Sequence, residues 1–181
     1  MRAFSLIETV IVIAISTVMM LTLGFVIYQL NGLVEYQQTV AQSSGSASAI
    51  IREINSLTVP SDAVLQTHIF PSATYTSSAT TLVLEIPSID SSGNVISNTH
   101  DYAAFYLVGT NVYRLLVTDA SSKRYSGTKQ LSSTVTSLTF TYNDTDFTKV
   151  SMVTADVQTQ AQVKQNTLSD HRNEQVWLRN F

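Results

Sequence analysis

One acidic residue stands out because of where it lies. Glu8 is followed by no charged residue until Glu35, and residues 9–30 (TVIVIAISTVMMLTLGFVIYQL) are almost entirely apolar. A carboxylate carried to mid-bilayer costs up to about 2.5–3.5 kcal/mol, so such a group normally has a partner or a purpose. Two interpretations follow. Glu8 is either an interfacial acid that reaches the lipid headgroups, or a carboxylate that pairs with a cation.

A second group of candidate ligands lies far along the chain. Asn143, Asp144 and Asp146 lie within four residues of one another, and clustered oxygen ligands of this kind suit Ca²⁺. Two aspartates in a tight turn more commonly accept backbone hydrogen bonds. The same choice exists for Asp90 and Asn94. We expect turns at both places, with a metal site as the alternative.

Residue patterns typical of enzymes are not found in this sequence. The histidines are scattered and form no H-E-x-x-H pattern, and neither a G-x-S-x-G elbow nor a phosphate-binding loop occurs. The absence of cysteine excludes disulfides and thiolate metal sites. The net charge of −3 and the lack of a basic run give little support to nucleic-acid binding. The sequence therefore predicts a protein that is not an enzyme and needs no cofactor.

The apolar segment predicts a membrane span. Residues 9–30 exceed the roughly 20 apolar residues that cross a 30 Å hydrocarbon core. The segment is too long for the apolar part of a signal peptide, and no small-x-small cleavage site follows it. Arg2 precedes the span, so the positive-inside tendency places the N-terminus in the cytoplasm. We expect a single-pass protein of the cytoplasmic membrane with its later residues outside.

The residues around Glu8 resemble a known motif. Residues 4–10, FSLIETV, are similar to the N-terminal signature of type IV pilins and pseudopilins. The resemblance implies cleavage between Ala3 and Phe4 by a prepilin peptidase, N-methylation of Phe4, and retention of the apolar segment. Ala3 stands where the family usually has glycine. The implied partners are the peptidase, the cytoplasmic membrane, other pilin subunits and an assembly platform protein.

The resemblance also implies a role for Glu8 in assembly. Cleavage before Phe4 leaves a cationic α-amine four residues before Glu8. In a hydrophobic filament core, each Glu8 carboxylate is expected to face the Phe4 amine of a neighbouring subunit. An unpaired buried ion is costly whereas a paired one is tolerated, so the pair selects the register of stacked subunits.

A long helix is expected to carry this segment beyond the membrane. Apolar residues repeat every seven positions after the span, and no proline occurs before Pro60. The two stripes are Leu33, Val40, Ala47 and Ile54, and Tyr36, Ser43, Ile50 and Leu57. A helix from Phe4 to about Leu57 would be about 80 Å long, with its second half packed on the head and a bend near residues 43–46. A two-stranded coiled coil is the alternative.

From Pro60 onward the periodicity changes to two, which predicts strands. The predicted elements are a strand at 82–86 ended by Pro87, a turn at 90–94, a hairpin of 102–108 and 112–118, strands at 136–142 and 150–157, a polar stretch at 158–173, and a last strand at 176–178. The predicted fold class is α+β, a long N-terminal helix followed by an antiparallel β-sheet head. The expected segments are a leader (1–3), a transmembrane half-helix (4–30), an extracytoplasmic half-helix (31–58) and the head (59–181).

The order of segments in the head provides a second, looser resemblance. LVLEIP, NVYRLLV, SLTFTYN and the terminal VWLRN together look like minor pilins of the W type and J-type pseudopilins. The implied function is a minor structural subunit of a type IV pilus, a competence pilus or a type II secretion pseudopilus. The alternative is a single-pass, membrane-anchored binding protein that never polymerises. We expect residues 119–127 to form a mobile, solvated loop, with contact to a neighbouring subunit or to DNA as its functional alternative.

Overall fold

A single helix dominates the first third of the chain. The computed structural model describes residues 5–163 and 166–179, and α1 spans Leu6–Thr58, 53 residues without a break. The predicted ends are therefore correct to within two residues. The helix passes through residues 43–46 uninterrupted, so the weak point expected there does not divide it. At the other end, the Val59 N–H still bonds to the Asn55 carbonyl, and Pro60 follows.

The head consists of short and long antiparallel strands. Within the described chain they are β1 Ala63–Val64, β2 Thr67–Ile69, β3 Thr74–Thr76, β4 Thr81–Ile89, β5 Val95–Val108, β6 Asn111–Val117, β7 Gly127–Ser132, β8 Val135–Tyr142, β9 Met152–Val163 and β10 Asn166–Trp177. They form a five-stranded sheet of order β1-β4-β5-β6-β7, a three-stranded sheet of order β10-β9-β8, and the β2–β3 hairpin. The predicted fold class, α+β with antiparallel sheets after a long N-terminal helix, is confirmed and is consistent with a pilin-like fold.

The main core lies between the last turns of α1 and the two sheets. Ala47, Ile50 and Ile54 are fully buried on the helix, and Phe105 and Val157 are fully buried opposite them. These positions belong to the predicted apolar stripes, so the periodicity located this face correctly. Burial of several large apolar side chains at about 25 cal/mol per Å² makes the helix an integral part of the head.

No residue in the first part of the same stripes is buried by the head. Leu33, Tyr36 and Val40 are 53%, 41% and 40% exposed, and the first buried helix residue is Ser43. The prediction that the whole segment 31–58 packs on the head is therefore wrong for its first twelve residues. Burial of α1 begins at Ser43, which contacts Thr159 of β9.

Proline 87 does not end β4 as predicted. Asp62 and Leu65 donate their N–H groups to the carbonyls of Glu85 and Val83. The backbone N–H and C=O groups of odd-numbered β4 residues are therefore directed toward β1. Pro87, which has no N–H, is also odd-numbered, and it lies beyond the end of β1. The sheet therefore loses no backbone hydrogen bond at the proline. The strand continues to Ile89, with a register shift just after the proline.

The polar stretch predicted at 158–173 is in fact most of a long hairpin. β9 and β10 pair continuously from Met152 with Trp177 to Val163 with Asn166. The predicted strands at 150–157 and 176–178 are only its base. Alternation does continue beyond Val157, but through Thr159 and Ala161 rather than large apolar residues, so the signal was weak. The short strands β1 to β3, the first half of β5, and β7 were also not predicted.

Candidate functional site

The start of α1 is stabilised by its own side chains. Ser5 is the N-cap residue, and its hydroxyl accepts the Glu8 N–H at 3.4 Å. In return, the Ser5 N–H donates to Glu8 Oε2 at 2.8 Å. This reciprocal pair is a capping box, and the S-x-x-E spacing that signals it was present in the sequence but not used. The predicted processing residues Ala3 and Phe4 lie outside the described residues.

The capping box already supplies one hydrogen bond to the Glu8 carboxylate. A carboxylate has about four acceptor positions, and the Ser5 N–H occupies one of them. Glu8 therefore has a local structural role and still has room for an ammonium group from another chain. The carboxylate alone does not distinguish an assembly residue from a helix cap.

The first part of α1 is long and apolar enough to cross a membrane, and no part of its most apolar window is buried by the head. Its threonines are satisfied within the helix. Thr17 and Thr22 donate their hydroxyls to the carbonyls of Ile13 and Val18 at 2.8 and 2.9 Å. Such bonds remove the cost of placing hydroxyl groups in hydrocarbon.

Beyond the span, residues 31–42 form a segment that we call the neck. Tyr36 and Val40 are exposed apolar residues on the neck, on the same helix face as the buried Ser43. An apolar face that continues past the head, and past the length needed for a bilayer, is unusual for a simple membrane anchor. The neck is therefore a candidate contact surface.

Polar contacts fix the head on the helix above the neck. Ser43 Oγ lies 2.9 Å from Thr159 Oγ1 on β9, and both residues are buried. On α1, one turn before the buried Leu57, the Glu53 carboxylate forms ion pairs with Arg114 at 2.5 Å and Lys129 at 3.2 Å. These contacts join α1 to β6, β7 and β9, so the head cannot rotate about the helix without breaking them.

The loop at 119–127 is largely exposed to solvent, as expected from the sequence, but its two basic side chains are hydrogen-bonded to neighbouring segments. Arg124 donates to the fully buried Asp101 at 2.7 Å and to the Pro87 carbonyl at 2.6 Å. The Lys123 ammonium donates to the Ser91 carbonyl at 3.0 Å. Both basic side chains therefore hold the loop against β4, β5 and the turn between them.

The two candidate calcium ligands act as turn acceptors. Asp144 Oδ1 accepts the Asp146 N–H at 2.8 Å, and Asp146 Oδ1 accepts the Thr148 N–H at 3.1 Å. Hydrogen bonds from Thr148 lower the pKa of the Asp146 carboxyl. Asp90 likewise accepts the N–H groups of Ser92 and Asn94. Across residues 5–163 and 166–179, no three His, Cys, Asp or Glu side chains are grouped to hold a metal ion.

The structure brings together two of the histidines that are distant in sequence. His68 stacks on Tyr102 at 3.8 Å, and the Tyr102 hydroxyl donates to Glu85 at 3.3 Å. His100 lies 3.7 Å from the same Glu85 carboxylate and 3.5 Å from Asp62. Burial lowers the pKa of His68. The third histidine, His171, pairs elsewhere, with Asp156 on β9.

The fold and the site define a class of protein: an α+β chain whose long N-terminal helix, apolar in its first part, projects from a β-sheet head. Comparisons of the chain with models of known protein families, with characterised proteins and with solved structures find no match.

Proposed function

We propose that this chain is a structural minor subunit, a minor pilin or pseudopilin, of a type IV pilus, a competence pilus or a type II secretion pseudopilus. The observation that carries the proposal is the uncovered length of α1. No residue of the segment 6–42 is buried by the head, and the segment measures about 55 Å at 1.5 Å per residue. A bilayer accounts for about 30 Å of that length. Apolar turns remain on the neck, and helices of neighbouring subunits would cover them in a filament.

The N-terminal motif supports the same proposal independently. Residues 4–10 carry the pilin-like signature, and Glu8 is the one carboxylate in the apolar segment. On this proposal a prepilin peptidase cleaves between Ala3 and Phe4, and Phe4 is N-methylated. The processed subunit remains in the cytoplasmic membrane with its head outside until an assembly platform moves it into the filament.

Mass spectrometry of the N-terminus tests the processing step. Protein isolated from the native host should begin at methylated Phe4, and protein from a strain without prepilin peptidase should keep Ala3 as part of a longer chain. If the chain is unprocessed in the strain that has the peptidase, the proposal is wrong.

Glu8 variants separate assembly from helix capping. Glutamine at the third helical position still completes a capping box, but it carries no charge. We expect Glu8→Gln and Glu8→Ala to insert in the membrane and to be missing from sheared filaments. Ser5→Ala, which removes the cap and keeps the charge, should be incorporated, and Glu35→Ala serves as a control for charge loss on α1. Normal incorporation of Glu8→Gln would mean that the charge of Glu8 is not needed for assembly.

The alternative function is a single-pass, membrane-anchored binding protein that does not polymerise. It is favoured by one observation, the local satisfaction of Glu8 by Ser5. This alternative predicts an unprocessed N-terminus and no co-sedimentation with filaments, so the same two experiments decide between the functions.

A further inference from the structure

The longest strand edge without a partner belongs to β10. The register of β9 and β10 continues to Leu178, whose N–H donates to the Ser151 carbonyl at 2.9 Å. In an antiparallel ladder, bonded and non-bonded residues alternate. Even-numbered residues of β10 therefore bond to β9, whereas the odd-numbered residues, such as Ser169, His171 and Asn173, direct N–H and C=O outward. No strand in the described chain pairs with this outer edge.

The free edge of β10 borders a groove along α1. An upper cavity of about 280 Å³ lies between Tyr36 and Val40 of the neck and residues 168–170 of β10. A lower cavity of about 230 Å³ lies between Arg52 and residues 172–174. Residue numbers rise together on the helix and on the strand, so α1 and β10 run in the same direction and the groove follows the strand.

The two cavities differ in chemistry. The upper cavity includes the apolar side chains of Tyr36 and Val40, which the head leaves exposed, together with the half-buried Leu168. In the lower cavity, Arg172 is already engaged by Asp170 and Ser44, and the Glu174 carboxylate accepts a hydrogen bond from the Asn55 side chain. Arg52 has no ion pair or hydrogen bond with any residue that the structure describes. The groove is thus suited to an apolar group at one end and a carboxylate at the other.

A second copy of β10 does not fit this edge in the antiparallel orientation. Because α1 runs in the same direction as its own β10, antiparallel pairing of two β10 strands would place the two α1 helices antiparallel. Two helices anchored in one membrane with their heads on the same side cannot be arranged in that way. A segment of a different polypeptide is free of this constraint.

We propose that the groove between α1 and the outer edge of β10 binds an extended segment of another polypeptide by β-strand addition. Backbone pairing with the odd-numbered residues of β10 supplies the affinity. In the antiparallel orientation, the residue opposite Arg172 precedes the residue opposite Leu168 by four positions. The bound segment therefore carries an acidic side chain four residues before an apolar one, both directed toward α1. This inference does not depend on the proposed filament role.

Binding of two matched synthetic peptides tests the inference. The probe is a fluorescently labelled nine-residue peptide of alternating Val and Thr, beginning with Val, with Glu at the third position and Leu at the seventh. The control peptide has Leu and Glu exchanged. Titration of the intact chain in non-ionic detergent, followed by fluorescence anisotropy, should give binding about tenfold tighter for the probe. Equal binding of the two peptides, no binding, or tighter binding of the control would overturn the proposal.

Proline variants show whether the outer edge is the site. Ser169→Pro and Asn173→Pro together remove two outward N–H groups and no bond to β9. We expect about a tenfold loss of probe affinity relative to the Ser169→Ala and Asn173→Ala pair. Unchanged affinity in a proline variant with a wild-type near-UV circular dichroism spectrum would place the peptide elsewhere.

A variant on α1 keeps the test valid if the prolines disturb the hairpin. Arg52→Ala, at an exposed helix position, should reduce the difference between the two peptides without abolishing binding. An undiminished difference would contradict the role of Arg52. Concentration-dependent dimerisation of the chain that the proline pair abolishes would identify a second copy as the occupant, which would also overturn the proposal.

Discussion

Replacing Asp101 with alanine should destabilise the head by about 3–5 kcal/mol, because the Arg124 guanidinium would remain buried without its counter-ion. Asp101 is fully buried, and Arg124 is only 16% exposed. The carboxylate also accepts hydrogen bonds from Ser88, from the Asp119 N–H and from Ser122, at 2.7 to 2.9 Å. The variant thus loses the ion pair and leaves three further donors to find new partners.

The loss is large relative to the stability of a small domain, which is about 5–15 kcal/mol. For a chain of this size it corresponds to a fall in melting temperature of roughly 6–20 °C. Near-UV circular dichroism of the intact chain in non-ionic detergent follows the head, because the only tryptophan and six of the eight tyrosines lie after residue 58. Limited proteolysis should detect early opening at 119–127.

Two further variants make the comparison decisive. Asp119→Ala removes an exposed carboxylate whose side chain bonds only to Ser121, and it should cost less than about 1 kcal/mol. A double-mutant cycle of Asp101→Ala and Arg124→Ala should give a coupling energy above about 1 kcal/mol. If Asp101→Ala costs no more than Asp119→Ala, or if the coupling energy is near zero, then the buried pair does not hold the loop.

Three other perturbations test separate parts of the structure. Burial raises the pKa of Tyr142 to about 12. The free energy of unfolding that the neutral Tyr142 contributes is therefore complete below pH 10 and is lost as the pH rises to 12. In urea unfolding, Tyr142→Phe should reduce the alkaline loss of stability by about 2–3 kcal/mol. Gly109 lies at φ +61° in the β5–β6 turn. Gly109→Ala should lower the free energy of unfolding, measured in urea, by about 1 kcal/mol, and Gly109→Asn should lower it by less. A fragment starting at Asn31 should melt cooperatively in circular dichroism, whereas one starting at Pro60 should aggregate; equal melting of the two would mean that α1 is not part of the core.

The sequence was most informative where side-chain size changes sharply with position. The apolar residues Leu82, Leu84 and Ile86 mark one face of β4, and all three are fully buried, although Val83 on the opposite face is buried too, in a second cluster with Phe70. Ile50 and Ile54 likewise marked the packed face of α1. Large aliphatic side chains gave a clear period in both cases, and that period follows directly from the geometry of the element.

Features that depend on distant residues were missed. Nothing local indicates that Arg124 turns inward, because its buried partner Asp101 belongs to a different strand. The outer half of the β9–β10 hairpin was missed because strand pairing supplies its backbone bonds, whereas its side chains are mostly polar. The uncovered neck could not be predicted either, since the period shows which helix face is apolar but not where the sheets end.

The continuity of α1 links events at the membrane to the orientation of the head. Each residue of an α-helix advances 1.5 Å and turns by about 100°. Because no break divides α1 and Ser43, Glu53 and their partners fix the head on it, a shift of one residue in the membrane would rotate the whole head by that angle. If the proposed pairing of Glu8 selects the register, it also selects the direction in which the β10 groove faces. Subunits that present this groove uniformly to a partner therefore need one defined register at Glu8, which precedes the groove residues Tyr36 and Arg52 by 28 and 44 positions on the same helix.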